Sequence, residues 1–215
     1  MIKCLKNLFN KQKIRKESDI KHKQKTVCLI VPHSKKKKGA YSKELGHHEY
    51  TYINDFYEKS LVPALMKRYI QAKVIKRDGL GIVGAYREAL KYRPCMIMEW
   101  HFNAFNGKAR GFEILFKEDL AHEVLLAQNM LYCLLGALGT KKRGLRRKLK
   151  GERGFVNVSQ TSKIPSLLLE PFFGDNSEDA LNFHEKREIL SNDVAEIIEE
   201  YIQSQYIQSQ PLTLE

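Results

Sequence analysis

Three apolar runs constrain this chain more than any other feature, because each one stops at a side chain that can bind a metal or move a proton. The first is TVCLIVPHS, residues 26–34, which ends in Pro32 and His33. The second is MIMEWHFNAFNGKARGFEIL, residues 96–115, where Met96, Ile97 and Met98 lead to His101 and to a loop marked by Asn103, Asn106 and Gly107. The third is IPSLLLEPFFGDN, residues 164–176, where Leu167, Leu168 and Leu169 run straight into Glu170. Short apolar runs of this kind suit strands covered on both faces, and Asn/Gly clusters suit the turns after them. AKVIKR at 72–77 reads as a further short strand, and 111–117 as another, with Phe112, Ile114 and Phe116 on one face and Glu113, Leu115 and Lys117 on the other.

Between these runs the apolar spacing turns helical. Ile53, Phe56, Tyr57, Leu61 and Leu65 stripe a helix over 49–70, which Pro63 is expected to kink or split. Helices are also expected over 82–92, over 119–138 with Gly139 as the stop, and over 183–203 after a cap at Ser177. The segment 141–153 reads as a basic loop and 155–158 as a short strand. Strands alternating with helices predict an α/β fold, a twisted and largely parallel sheet flanked by helices in a single domain. In such sheets ligands sit at the carboxyl ends of the strands. His33, His101 and Glu170 are therefore expected to meet at one edge.

Glu49, in LGHHEYTYIND ahead of the first helix, offers a fourth group. Two imidazoles and one carboxylate leave a zinc ion with an open position for water, and a second carboxylate can take that water's proton. Glu170 lies between Leu169 and Pro171, where partial desolvation raises a carboxyl pKa. Asn103 and Asn106 either shape their loop or meet a substrate.

These segments resemble the zinc-dependent N-acetylmuramoyl-L-alanine amidases, the wall-degrading group of bacterial autolysins and phage endolysins. The resemblance rests on PHSKKKKGA, Glu49 ahead of a helix, WHFNAFNGKARGFEIL and SLLLEPFFGDN, in that order over residues 26 to about 201. Arg77 and Arg87 also match positions where the family often has arginine. The resemblance implies zinc held by His33, Glu49 and His101, with Glu170 as general base and then general acid. His47 and His48, next to Glu49, stand as groups that assist or replace it. The substrate implied is peptidoglycan, cut at the amide between N-acetylmuramic acid and L-alanine. Val-Pro-His-Ser also opens zinc-dependent N-formylglutamate amidohydrolases, so a hydrolase of small N-acyl amino acids is the rival reading.

The 215 residues divide into a basic tail over 1–25, a catalytic domain over 26–203 and a frayed end over 204–215 that carries the repeat YIQSQ twice. Of the formal charge of +12, the tail supplies most: nine Lys or Arg stand there against Glu17 and Asp19. The rest clusters in Lys35 to Lys38 and in 141–153, where eight of thirteen positions are basic. Such clusters attract polyanions, among them anionic wall polymers. A non-catalytic basic binding protein is thus a third reading, though no helix-turn-helix, zinc-finger or aromatic-basic nucleic-acid motif is present. Cys4, Cys28, Cys95 and Cys133 form no C-x-x-C pair, which argues against a disulfide framework. No apolar run reaches the ~20 residues of a membrane span, and the first residues do not read as a signal peptide. The resemblance to phage endolysins implies action at the wall after release by a holin-type partner. The oligomeric state is left open.

Overall fold

A computed structural model describes residues 25–117 and 120–208. The chain forms β1 (Thr26–Val31), a small ribbon of β2 (Tyr41–Ser42) and β3 (His47–His48), and α1 (Glu49–Phe56), which passes through a π-helical stretch at Tyr57–Leu61 into α2 (Val62–Lys67). There follow β4 (Gln71–Lys76), α3 (Gly81–Leu90), β5 (Met96–Trp100), β6 (Phe112–Phe116), α4 (Ala121–Leu138), β7 (Lys142–Arg147), α5 (Phe155–Val158), β8 (Ser166–Glu170) and α6 (Ser177–Gln208).

Six strands make one sheet in the order β4-β1-β5-β8-β6-β7. β4, β1, β5 and β8 are parallel, so β1, β5 and β8 deliver their carboxyl ends to one edge. β6 runs antiparallel to β8, which brings its amino end to that same edge and sets Glu113 opposite Glu170. β7 is parallel to β6, so its amino end arrives there too.

The alternation of side chains divides the core into two layers. Val27, Leu29, Val31, Met96, Met98, Trp100, Leu167 and Leu169 join one large cluster with residues of α1, α2, α4 and α6. Its aromatic centre sets the ring of Phe56 5.1 Å from Trp100 and 5.3 Å from Phe183. On the opposite face Cys28, Ile30 and Ile97 pack on Ala85, Tyr86 and Ala89 of α3, and Leu115 and Leu168 pack on Val158 of α5. Completely burying an aliphatic or aromatic side chain is worth about 1.5–3 kcal/mol. The central strands therefore anchor the edge on which the polar groups stand.

Three expectations are corrected. The basic segment over 141–153 contains an edge strand, β7, whose exposed Lys142, Arg146 and Arg147 hide the strand alternation; lysine and arginine are usual guards of a free edge. Residues 155–158 form one helical turn, not a strand, with Gly154 ahead of them in the left-handed conformation at φ +88°. The helix over 49–70 is split as expected, by a π-helical stretch at Tyr57–Leu61 directly ahead of Pro63, which falls in the first turn of α2. The last helix starts at Ser177 and is capped by Asn176, whose Oδ1 accepts the Asp179 N–H at 3.1 Å; it runs on to Gln208, beyond the expected 203. The expected basic tail lies outside the described residues except for Lys25. No helix among the described residues is long and apolar enough to cross a membrane.

Candidate active site

His33 sits two residues past β1 with φ +61°, a left-handed conformation uncommon for a side chain of this size. Its ring meets Glu49, the first residue of α1, with Nε2 2.8 Å from Oε2. His101 follows β5 directly and approaches the other oxygen, Nδ1 to Oε1 at 2.7 Å. Glu49 Oε1 also accepts the backbone N–H of Phe102 at 3.2 Å, which holds the carboxylate in place. The ligand-competent atoms of His33, Glu49 and His101 all lie within 4.8 Å of one another.

The second nitrogen of His101 meets Glu99 Oε1 at 3.0 Å. Glu99 is completely buried on the α3 face of β5. Arg77 donates to it at 2.6 Å, Asn157 at 2.8 Å and the Tyr86 hydroxyl at 3.2 Å. One ring nitrogen held by a carboxylate leaves the other aimed at a fixed point, the arrangement that orients histidines toward metals.

Burial pushes the Glu49 carboxyl up, but hydrogen bonds from His101 and His33 outweigh it and bring it down to about 2. Burial pulls His101 down, yet the carboxylates of Glu49 and Glu99 raise it to about 10. Burial likewise opposes the ionisation of Glu99, and His101, Arg77 and Asn157 reverse the effect and hold it below the ordinary range. A carboxylate gripped by two imidazoles thus draws positive charge to the spot. Two imidazole nitrogens and a carboxylate oxygen form a donor set suited to zinc, whereas magnesium and calcium prefer more oxygens. Space has been kept for this cluster: a Cβ on Gly39 would lie 2.6 Å from Glu49 Oε2 and 2.7 Å from His33 Nε2.

Glu170 closes β8 and is 8% exposed, with Oε2 buried and lacking a hydrogen-bond partner. Burial pushes it up to about 7; His101 and Arg153 work against that shift, and Glu49 and Glu113 add to it.

The structure thus brings His33, Glu49, His101 and Glu170 to one edge. His47 and His48 stand apart from the cluster on β3. His48 Nδ1 is 3.3 Å from the Gly39 carbonyl, and its ring lies against Tyr41. Asn103 donates its amide to Glu113 at 3.2 Å, and Asn106 Oδ1 accepts the N–H groups of Lys108 and Ala109, so both asparagines make loop-shaping contacts. Sequence reasoning passed over Glu99, which sits inside an apolar run, and Gly39, which looked like an ordinary loop glycine.

The family model of N-acetylmuramoyl-L-alanine amidase matches residues 27–203, nearly the whole of the described domain. The chain belongs to that family. Membership favours the wall-amidase expectation over both rivals. Among solved structures, this amidase chain is similar to Cwp6 from Clostridium difficile, at 24% identity and a TM-score of 0.71 over 83% of its length. It spans only 29% of that longer protein. An N-acetylmuramoyl-L-alanine amidase from Clostridium difficile 630 aligns at 21% identity and a TM-score of 0.68, covering 87% of this chain and 99% of that one. The catalytic domain of CwlV, an N-acetylmuramoyl-L-alanine amidase from Bacillus (Paenibacillus) polymyxa, gives 21%, 0.66, 87% and 100%. These likenesses show the shared fold. No curated protein matches the chain significantly by sequence.

Proposed function

We propose that this amidase hydrolyses the bond between the lactyl group of N-acetylmuramic acid and L-alanine in peptidoglycan, with a zinc ion held by His33 Nε2, Glu49 and His101 Nδ1. The observation that carries the reading is the convergence of those three donors beside a buried, protonatable Glu170. Bound zinc would supply Lewis-acid activation, polarising a carbonyl and lowering the pKa of water from ~15.7 towards ~7. The amide needs both halves of that help, because resonance weakens its carbonyl as an electrophile and its amine is a poor leaving group.

The chain's own groups supply the proton transfers. Burial raises the Glu170 carboxyl, which suits it both to accept a proton from the attacking water and to hold it for the next step. As the C–N bond breaks, the same carboxyl returns that proton to the departing nitrogen of L-alanine. Glu99 holds the Nε2–H of His101, which leaves Nδ1 as the free lone pair. We place the action at the cell wall, where the exposed Lys35 to Lys38 beside His33 favour retention on anionic polymers.

The test is digestion of purified peptidoglycan by chelated protein before and after zinc is restored, with the products read by mass spectrometry. Stem peptides beginning with L-alanine, released only after zinc returns, are the expected result. Release at another bond, or equal release without zinc, would sink the proposal.

A further inference from the structure

We infer that Arg143 and Arg146 of β7 bind a carboxylate of the substrate's peptide and so set a specificity for the stem. The inference rests on Glu170 as the catalytic base, and it begins with an irregularity in the sheet. β6 and β7 pair Phe112 with Lys142 but Glu113 with Gly144, which leaves Arg143 as an extra residue in a bulge. Gly144 takes φ +102° there, a conformation that a side chain resists. Bulges re-aim side chains beside active sites. Here the bulge brings Arg143 to the same oxygen that Arg146 approaches, Oε2 of Glu113, at 3.5 and 3.1 Å.

Glu113 is the residue paired directly with Glu170 across β6 and β8. Its other oxygen is taken by the amide of Asn103. One carboxylate thus fixes two guanidinium groups and leaves a net positive charge. Both arginines approach Glu113 through Nε, which keeps the terminal N–H groups of each fork for another acceptor. The Arg143 guanidinium is further held 5.1 Å from the ring centre of Phe173, three residues past Glu170. Its side chain is 32% exposed and that of Arg146 is 49% exposed, so both are open to a ligand. A planar fork of this kind matches a carboxylate in two parallel hydrogen bonds.

Substrate chemistry identifies which carboxylate. In peptidoglycan the lactyl carboxyl is consumed in the scissile amide, and the acetamido and hydroxyl groups of the sugars are neutral, so the anionic groups lie in the peptide. β7 stands two strands from β8, about 10 Å at ~4.8 Å per strand. Arginine side chains reach back over part of that gap, and an extended peptide covers ~3.5 Å per residue. The free carboxylate of the second peptide residue falls in range. The peptide then lies over β8, β6 and β7, and the glycan lies towards β1 and β4.

The experiment uses two soluble muropeptides that differ only in whether the second peptide residue carries its free carboxylate or the corresponding amide. Turnover of both is measured for the wild type, Arg143→Gln and Arg146→Gln. Equilibrium binding of both is measured to Glu170→Gln with and without the arginine changes. A preference for the carboxylate of roughly tenfold, expressed in KM and largely lost in either arginine variant, is the expected result. The wild-type comparison needs no variant to fold. Equal handling of both peptides by the wild type would overturn the inference and leave the amidase reading intact. No turnover of either peptide, with binding to Glu170→Gln still discriminating through the arginines, would uphold this site and sink the catalytic reading. Arginine variants that lose affinity for a polyphosphate wall polymer while treating the two peptides alike would assign the pair to that polymer instead.

Discussion

Replacing Glu99 by glutamine is expected to lower both the stability of the domain and its zinc affinity, and the two losses can be separated. Glu99 is completely buried and accepts from Arg77, Asn157, Tyr86 and His101 at once. The amide keeps the volume and one acceptor oxygen, but it leaves Arg77, only 14% exposed, without its counter-ion. Breaking a buried pair from one side costs about 3–5 kcal/mol. The second loss comes from His101, whose ring is no longer held by a charged acceptor. Outer partners of metal-binding histidines are worth roughly 10–100-fold in affinity, or about 1.4–2.7 kcal/mol. Adding Arg77→Gln removes the stranded charge, so most of the stability returns while the zinc affinity stays low. Urea unfolding of the chelated proteins and zinc competition against a chromogenic chelator, on the wild type, both single variants and the double, measure the two quantities. Zinc affinity of Glu99→Gln within about twofold of wild type, or affinity that returns with stability in the double variant, would refute the orienting role.

Four further outcomes follow from the structure. Turnover will rise with pH as Glu170 loses its proton, because only the ionised carboxyl accepts one, and Glu170→Gln will abolish it; a flat profile from pH 5 to 9 would count against this role. Since the folded-state pKa of Glu170 is raised, its contribution favours folding below the ordinary carboxyl value of 4.5 and is lost as pH rises through about 7. Chelated Glu170→Gln should therefore melt above wild type at high pH, with the gap closing on acidification. Gly39→Ala drives a Cβ against Glu49 and His33 at a φ of +78°, and is expected to weaken zinc binding by roughly tenfold or more while far-UV circular dichroism stays near wild type. Asp179→Ala strips the acceptor from the buried N–H groups of Gly111 and Phe173, at roughly 1–3 kcal/mol each, and thermal unfolding will show it as a lower midpoint.

How much of this was legible in the chain depended on what each residue contacts. His33, His101 and Glu170 stood out because apolar strands end at them, and a parallel sheet carries strand ends to one edge without further information. Glu49 needed the helix start and the family resemblance together. Glu99 was hidden because a single acid in MIMEW reads as a flaw in an apolar run. Its partners Arg77, Tyr86 and Asn157 lie up to 58 residues away, a distance that no local pattern reports. β7 was masked by its own solubility, since the charges that guard an edge strand erase the alternation that marks a strand. Phe155 to Val158 misled in the opposite direction, with strand-favouring residues wound into a turn behind a left-handed Gly154. Arg77 matched a family position in the sequence, and its burial against Glu99 shows which contact it makes.

The proposed function stands or falls with His33, Glu49 and His101 forming a single zinc site. The most direct measurement is anomalous diffraction from crystals of the zinc-loaded protein, with data collected on either side of the zinc absorption edge. One strong difference peak is expected, bonded to His33 Nε2, His101 Nδ1 and a Glu49 oxygen, that vanishes in His101→Ala. A peak seated on other residues, or no peak in fully folded, zinc-equilibrated crystals, would contradict it.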